Sequence, residues 1–292
     1  VIHTASIPSQ WPADSPQVGS GHNAFNNNVY DLTIDTGRGN SGAIGLDFNA
    51  SNVGTVENVS IRSGDENRIG VTGLSLLRYV GPCLIKNVSI EGFDVGIDSD
   101  DWDLSQTFEN ITLKHQRKVG IRNTNNLLSF RKLHSVNQVS VIENNRDVGG
   151  IAAGLIVVSD GRFEGGSPTA VAIKNEAGLL ARNIQASGYK AAVSHGGKDV
   201  PGLQITEYSS EIPASLFATR KHLSRNIKVR ETPAYNNSRP NDWAIVRERQ
   251  PNEQDDTSAI QQAIDSGKSC VFFPQGRTYE IADTIFIRGK VR

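Results

Sequence analysis

Short runs of alternating apolar and polar residues recur through the first two hundred residues of the chain. In the run 86–91, Val88 and Ile90 would face one side of a strand, while Ser89 and Glu91 would face the other. This period of two is that of a β-strand and not of a helix. The run recurs around a set of positions that we take as equivalent: Asp31, Asn58, Asn87, Asn110, Lys132, Asp160 and Asn183.

The equivalent positions lie 22 to 29 residues apart, and no helical pattern lies between them. A repeat of this length that contains only short strands is typical of a solenoid. One repeat cannot bury its own apolar face, so neighbouring repeats must stack around a continuous core. We therefore predict an all-β parallel solenoid, in which each coil has two or three short strands separated by tight bends.

The recurring Asn is expected at a bend, because Asn tolerates a left-handed backbone and bonds to nearby backbone groups. In a stack, such side chains can form a hydrogen-bonded ladder along the solenoid axis. The pattern over about residues 25–200 resembles the right-handed parallel β-helix of the pectate-lyase-like superfamily. That architecture hosts lyases, glycosidases, epimerases and phage tailspikes, so the fold alone does not assign an activity.

A different pattern stands near the C-terminus of the chain. Ile260, Ala263 and Ile264 share one face of a short amphipathic helix, which Gly267 can end. A strand-like run, 270–273, follows. This succession closely resembles the capping helix and first coils that open a β-helix domain in the same superfamily.

The sequence therefore predicts four parts: an irregular approach segment (1–24), a parallel β-helix (25–230), a polar linker (231–254), and the cap helix with the first strands of a second, incomplete β-helix module (255–292). This arrangement resembles the exo-β-1,3-glucanases with two β-helix domains. The second module of the same longer protein would then be a partner of the first. The alternative is that the cap segment folds back over the coils it follows. The chain begins at Val1 and contains no Met, so we expect a processed or truncated product.

Composition narrows the function classes. With 30 Lys and Arg against 31 Asp and Glu, the net charge is −1, so there is no overall attraction to nucleic acid or to an anionic membrane. No run reaches the apolar length of a membrane span. Cys83 and Cys270 both lie in apolar strand-like runs, which favours buried free thiols over a disulfide.

The densest acidic cluster follows the strand that contains Gly96 and Ile97, in what we expect to be a loop. It holds four carboxylates and one indole ring: Asp98, Asp100, Asp101, Asp103 and Trp102. Paired carboxylates suit glycoside hydrolysis, in which one acts as a general acid and the other activates water or attacks the sugar. The four Asp are therefore catalytic candidates, and Trp102 could stack on a sugar ring. The alternative is a solvated loop, with or without a bound cation.

A basic group lies one coil later, at residues 114–118 and at Arg122. If the side chains of the two coils project from the same face of the solenoid, stacking places this basic group near the acidic cluster. His115, Lys118 and Arg122 are therefore candidates for substrate binding. A Lys or Arg beside a carboxylate could abstract the α-proton of a uronate in a lyase. The alternative is a set of surface ion pairs that contribute little energy.

The remaining charged and histidine side chains give weaker signals. We identify no partner for three single carboxylates, those of Glu143, Asp160 and Glu164. Three histidines lie on different coils and are not spaced as metal ligands: His115, His134 and His195.

The resemblance implies a secreted, extracellular or periplasmic glycoside hydrolase that degrades a β-glucan such as β-1,3-glucan and needs no cofactor. Its partner would be the polysaccharide, with no nucleic acid and no membrane. In tandem enzymes of this sort the cleft lies between the modules, so the cluster at 98–103 could position substrate. The alternatives are a Ca²⁺-dependent polysaccharide lyase acting on a uronate polymer, and a non-catalytic carbohydrate-binding or tailspike-like β-helix.

Overall fold

The structure is a computed structural model that describes residues 2–4, 24–78, 80–100, 105–146, 154–211 and 239–291. The chain divides into two compact units, Val1–Leu223 and Ser224–Arg292. In these described ranges, no helix combines the length and the apolar character needed to cross a membrane.

The described part of the first unit is built from short strands with no α-helix among them. In chain order the strands are β1 (Ile2–His3), β2 (Phe25–Tyr30), β3 (Thr33–Asp35), β4 (Ile44–Asp47), β5 (Ser51–Arg62), β6 (Thr72–Leu76), β7 (Cys83–Glu91), β8 (Val95–Asp100), β9 (Ser105–Lys114), β10 (Val119–Thr124), β11 (Leu127–Val136), β12 (Ile142–Asn145), β13 (Leu155–Glu164), β14 (Val171–Asn175), β15 (Gly178–Ala186), β16 (Ala191–His195), β17 (Lys198–Val200) and β18 (Gln204–Ser209).

These strands form two sheets, and the coils contribute strands to both. Sheet A has the order β1-β4-β6-β8-β10-β12-β14-β16-β17, and sheet B has the order β18-β15-β13-β11-β9-β7-β5-β2, with β3 also paired to β5. From β4 to β16, consecutive strands alternate between the sheets, and neighbours within a sheet are parallel. Each coil therefore gives one strand to each sheet, which is a parallel β-solenoid of about nine turns. The predicted solenoid class is confirmed.

The core lies between the two sheets and runs along the solenoid axis. In β7, Ile85, Val88 and Ile90 are buried, and the residues between them face outward. The strand register places equivalent residues of successive coils on top of one another. The rings of Phe108 and Phe130, for example, stack with their centroids 4.3 Å apart. Each coil thus covers the apolar face of the next, as the repeat predicted.

Each long sheet-B strand bends at the recurring Asn or its equivalent. All seven predicted positions have a left-handed backbone, with φ between 51° and 60°. Four hydrogen bonds connect six of these side chains from coil to coil: Asn58 to Asp31 (2.8 Å), Asn87 to Asn58 (3.0 Å), Asn110 to Asn87 (2.8 Å) and Asn183 to Asp160 (2.7 Å). The expected ladder is confirmed, and it runs along the outside of the solenoid.

A second ladder, which the sequence did not reveal, is buried at the carboxyl ends of the sheet-A strands. The amide of Asn123 donates to Asn144 (2.8 Å), and that of Asn144 donates to Asn175 (2.7 Å). Nδ2 of Asn175 lies 2.8 Å from Nδ1 of His195. The three Asn side chains are fully buried, and these bonds satisfy amide groups that would otherwise destabilise the core, although Oδ1 of Asn123 has no partner among the described residues.

A column of glycines forms the inner corner where the sheet-A strands begin. A Cβ on Gly96 would lie 2.5 Å from the carbonyl oxygen of Gly120, and one on Gly73 would lie 2.9 Å from that of Gly96. The backbones of successive coils therefore approach too closely for any side chain.

At the far end of the solenoid, β17 and β18 turn back and pair antiparallel with β16 and β15.

The described residues of the second unit form a small core around one helix. A short 3-10 turn (Pro240–Asp242) leads into β19 (Trp243–Ile245), followed by α1 (Thr257–Asp265) and β20 (Cys270–Phe272), which pairs in parallel with β19. The predicted helix is confirmed, and its apolar face is buried.

Strand β19 lies within the range predicted as a linker. It is ordered because Ala244 and the adjacent Val246 are buried in one cluster with the apolar face of α1. Residues 231–238 lie outside the described ranges, and the division of the chain into four parts stays a prediction.

Candidate functional site

Asp98 lies on the outer face of sheet A, between the inward-facing Ile97 and Ser99 of β8. The neighbouring strand β10 places Arg122 directly opposite Asp98, and Nη1 of Arg122 lies 3.3 Å from Oδ2 of Asp98. One predicted catalytic residue and one predicted substrate-binding residue are therefore in contact.

Asp100 lies two residues farther along β8, opposite Thr124 of β10. Alternate residues of a strand share a face and are about 6.6 Å apart, so Asp98 and Asp100 point to the same side of the sheet. The expectation of a loop is wrong for residues 98–100, because pairing with β10 extends the strand through Asp100. Asp101, Trp102 and Asp103 lie outside the described residues.

The two carboxylates of this pair have different environments. The Asp98 residue is only 8% exposed, whereas Asp100 is exposed. Burial raises the pKa of Asp98, Arg122 opposes this rise, and the charge of Asp100 adds to it, so that the pKa lies above its ordinary value of 3.8. Asp98 consequently keeps its proton to a higher pH than a solvated Asp does.

Asp98 and Arg122 belong to a longer polar row that crosses sheet A. The pairing of strands aligns seven outward residues: Asp47, Ser75, Asp98, Arg122, Glu143, Lys174 and Ser194. Neighbouring strands are about 4.8 Å apart, so the row is roughly 29 Å long. We call these seven residues the sheet-A row.

Further ion pairs stabilise the sheet-A row. Nζ of Lys174 lies 3.1 Å from Oε1 of Glu143. Asp47 accepts hydrogen bonds from Ser75 (3.1 Å) and from Arg78 (2.9 Å). Glu143, for which we predicted no partner, is therefore paired with Lys174 of the next strand. A signal was present, since each charged residue of β8, β10, β12 and β14 in the row follows an inward Ile and precedes an inward Ser or Asn.

The predicted basic group is divided between two places. Lys118 lies just before β10, and its Nζ contacts Oδ2 of Asp94 at 2.8 Å. Arg122 lies four positions farther along the chain, which corresponds to roughly 13 Å if the chain is extended. His115 lies earlier still, in the turn after β9, with a left-handed φ of 61°. Lys118 and His115 are therefore not brought to Asp98.

Glu164 and Asp160 also have partners, which are not visible from the sequence. Oε2 of Glu164 lies 2.8 Å from Nε2 of His134, and Oε1 accepts a hydrogen bond from Arg162 at 2.7 Å. The Arg162 and His134 hydrogen bonds hold the pKa of Glu164 below its ordinary value. Asp160 accepts a bond from the Asn183 amide in the outer ladder.

No metal site is found among the described residues, since no three or more His, Cys, Asp and Glu side chains stand close enough to hold an ion. The cofactor prediction stays a prediction. Cys83 and Cys270 are both free thiols, as expected, although Cys270 is only half-buried.

No model of a known protein family matches the sequence, and no curated protein gives a significant match. The structure shows a parallel β-solenoid, and the comparisons give no evidence for a pectate-lyase-like or glucanase-like identity.

Proposed function

We propose that this protein is a polysaccharide-degrading glycoside hydrolase, with Asp98 as its general acid and Asp100 as its general base. The observation that carries the proposal is the pair of carboxylates on one outer face of β8, one desolvated and the other exposed. Acid and base roles require two carboxyl groups whose environments separate their pKa values. The raised pKa of Asp98 suits a proton donor to the leaving sugar oxygen.

The spacing of the pair favours an inverting mechanism. Inverting glycosidases hold their carboxyl groups about 6.5–9.5 Å apart, which leaves room for a water molecule, whereas retaining enzymes hold them about 5–5.5 Å apart. The Cα atoms of alternate strand positions are about 6.6 Å apart, and two carboxyl groups that project in parallel from such positions would keep a similar separation, at the short end of the inverting range. Asp100 would activate the water while Asp98 protonates the leaving group.

The sheet-A row would bind the polymer beyond the reacting sugar. Its more exposed members are the side chains of Arg122, Glu143 and Lys174, which follow Asp98 on successive strands and offer cations and a carboxylate to the hydroxyl groups of an extended polymer. Asp101, Trp102 and Asp103 follow β8 directly in the sequence and remain candidates for holding the substrate. The choice of a β-glucan such as β-1,3-glucan rests on the family resemblance.

A substrate screen with matched variants tests the proposal. Purified protein is incubated with laminarin, pectate and alginate, and the release of reducing ends is measured. We expect activity on laminarin, a loss of at least about 100-fold in Asp98→Asn and Asp100→Asn, and an unchanged rate in Asp31→Asn. The control replaces an exposed Asp of the outer ladder by the residue found at equivalent positions of other coils. Proton NMR of the first product would show the inverted anomer.

A polysaccharide lyase is the second candidate, favoured by the contact between Arg122 and Asp98. It would give an unsaturated, ultraviolet-absorbing product from pectate or alginate, and this product would require Ca²⁺. Such a product, without hydrolysis of laminarin, would overturn the hydrolase proposal. No product from any polymer, together with polymer binding that Asp98→Asn leaves intact, would instead support a non-catalytic binding protein.

A further inference from the structure

A cleft of about 440 Å³ lies along the turns that lead from sheet B into sheet A. It is formed by residues 66–68 after β5, residues 115–117 after β9 and residues 136–138 at the end of β11, with Gly165 beside them. The cleft shares no lining residue with the sheet-A row. It contains His115, the predicted substrate-binding residue that does not reach Asp98.

The floor of the cleft is neutral and firmly held. Gln116 and Asn137 are buried, and Nδ2 of Asn137 donates to Oε1 of Gln116 at 2.8 Å. The backbone N–H of Gln116 donates to Oδ1 of Asn137 at 2.7 Å. The Gln116 amide also donates to three backbone carbonyl oxygens. This floor is therefore preorganised, and ligand selection falls to the side chains at the rim.

Two charged groups at the rim already have a partner of opposite charge. Nε of Arg117 donates to Oδ1 of Asp94 at 2.7 Å. The carboxylate of Glu66 lies 3.5 Å from Nη1 of Arg38. Arg117 shares Asp94 with Lys118. The side chains of Arg117 and Glu66 are thus both held by contacts outside the cleft.

Arg68 and His115 differ from Arg117 and Glu66, because their side chains have no such partner among the described residues. Within the described ranges, no side chain or backbone group bonds to the guanidinium of Arg68 or to the ring of His115. Both residues have a left-handed backbone, with φ of 56° and 61°. The turn of Arg68 is held by its own N–H, which donates to Asp65 O (2.9 Å), and by its carbonyl oxygen, which accepts from the N–H of Phe93 (2.9 Å). A fixed backbone thus presents an uncompensated cation at the mouth of the cleft.

We propose that this cleft binds an oxyanion, a carboxylate or a sulfate, carried by a sugar unit. The planar guanidinium of Arg68 can hold two oxygens of such a group at once, and His115 supplies a second hydrogen-bonding group. The volume lies within the range of small-ligand sites, and the polar lining suits a hydroxylated ligand. The site goes beyond the proposed hydrolase activity and does not depend on Asp98.

Three matched probes test the site: glucuronate, glucose 6-sulfate and glucose. Each is titrated into the isotope-labelled chain, and amide chemical shifts are followed by NMR. We expect saturable shifts at the cleft turns with one of the anions or both, a Kd of about millimolar, and none with glucose. Binding of glucuronate alone identifies a carboxylated ligand, and binding of glucose 6-sulfate alone identifies a sulfated one.

The variants separate the cleft from general surface charge. Arg68→Asn removes the cation and keeps a residue that tolerates the left-handed backbone, so we expect a Kd at least tenfold higher. Arg68→Lys keeps the charge without the two-pronged geometry and should fall in between. Arg162→Asn removes an exposed cation outside the cleft and should bind as the wild type does.

Three results would overturn the proposal: no saturable shift with either anion, equal binding of glucose, or equal effects of Arg68→Asn and Arg162→Asn. Asp98→Asn should bind the anions normally. Loss of polymer hydrolysis in that variant therefore tests the catalytic proposal separately.

Discussion

The side-chain amide of Asn87 donates a hydrogen bond to Oδ1 of Asn58 in the preceding coil, at 3.0 Å, and both residues have a left-handed backbone. The same residue thus makes the bend and connects it to the next coil. Lys132 shows that the two roles can separate, since it keeps the left-handed backbone (φ 56°) but has no amide. The ladder accordingly runs in two segments, one on each side of Lys132.

Asn87→Ala should destabilise the solenoid by about 2 kcal/mol, because it removes two exposed ladder hydrogen bonds, to Asn58 and from Asn110, and places Ala in a left-handed conformation. Asn87→Gly loses the same two bonds without the backbone penalty, so its loss should be about 1 kcal/mol smaller. Urea unfolding followed by circular dichroism measures both. Equal losses in the two variants would show that the backbone conformation contributes nothing.

Gly96→Ala should destabilise the first unit by about 3 kcal/mol, because the added Cβ would lie 2.5 Å from the carbonyl oxygen of Gly120 and the neighbouring coil would have to shift. Gly42→Ala is the matched control, since its Cβ would contact only Oδ1 of Asn40 at 3.6 Å. Thermal unfolding of the two variants provides the comparison. Similar melting temperatures for both would contradict the close approach of coils.

Asp98→Asn should stabilise the protein at neutral pH, although it removes a candidate catalytic group. The pKa of Asp98 is raised in the folded state, so folding disfavours ionisation of this carboxyl. Its effect on stability is absent below the ordinary value of 3.8, where the carboxyl is protonated in both states, and becomes a full cost once pH has risen through the folded pKa. The gain in melting temperature should therefore be full near pH 7 and shrink towards pH 3. A constant or opposite gain across this range would contradict a desolvated Asp98.

The two thiols should differ in reactivity. Burial raises the pKa of Cys83 to about 12, whereas Cys270 is half-buried. Because the thiolate is the reactive species, a disulfide reagent should modify Cys270 first and Cys83 only on unfolding. Mass spectrometry of the labelled peptides, with Cys270→Ser as the control, identifies the site. Fast labelling of Cys83 in the native chain would contradict its position in the core.

Asp256→Asn should loosen the second unit. The carboxylate accepts hydrogen bonds from Arg249 (2.7 Å) and from the backbone N–H of Glu280 (2.9 Å), and these hold its pKa below the ordinary value. The stabilisation is therefore present above pH 3.8 and is lost as pH falls through the folded pKa. Hydrogen exchange of the α1 amides should become faster at pH 7, with little change for Asp242→Asn. Unchanged exchange in Asp256→Asn would show that the contact is not stabilising.

The amino-acid sequence was sufficient to predict the repeat, the strands and the outer ladder. Alternation of apolar residues, as in Val88 and Ile90, is a property of a single strand. The left-handed preference of Asn is a property of a single residue. Both are local, and both recur in register, so the solenoid and its bends followed without knowledge of any contact. The helix α1 was predictable for the same reason.

Only the tertiary structure decided which side chains meet across coils. Arg122 contacts Asp98, whereas Lys118 contacts Asp94, because the register of β8 and β10 aligns each pair. The buried Asn ladder and the cleft at Arg68 likewise join residues that are more than twenty positions apart. Unequal turn lengths between coils determine which residues face one another, and a single strand carries no signal of that register. The sequence therefore determined the solenoid, and the stacking of its coils determined the site.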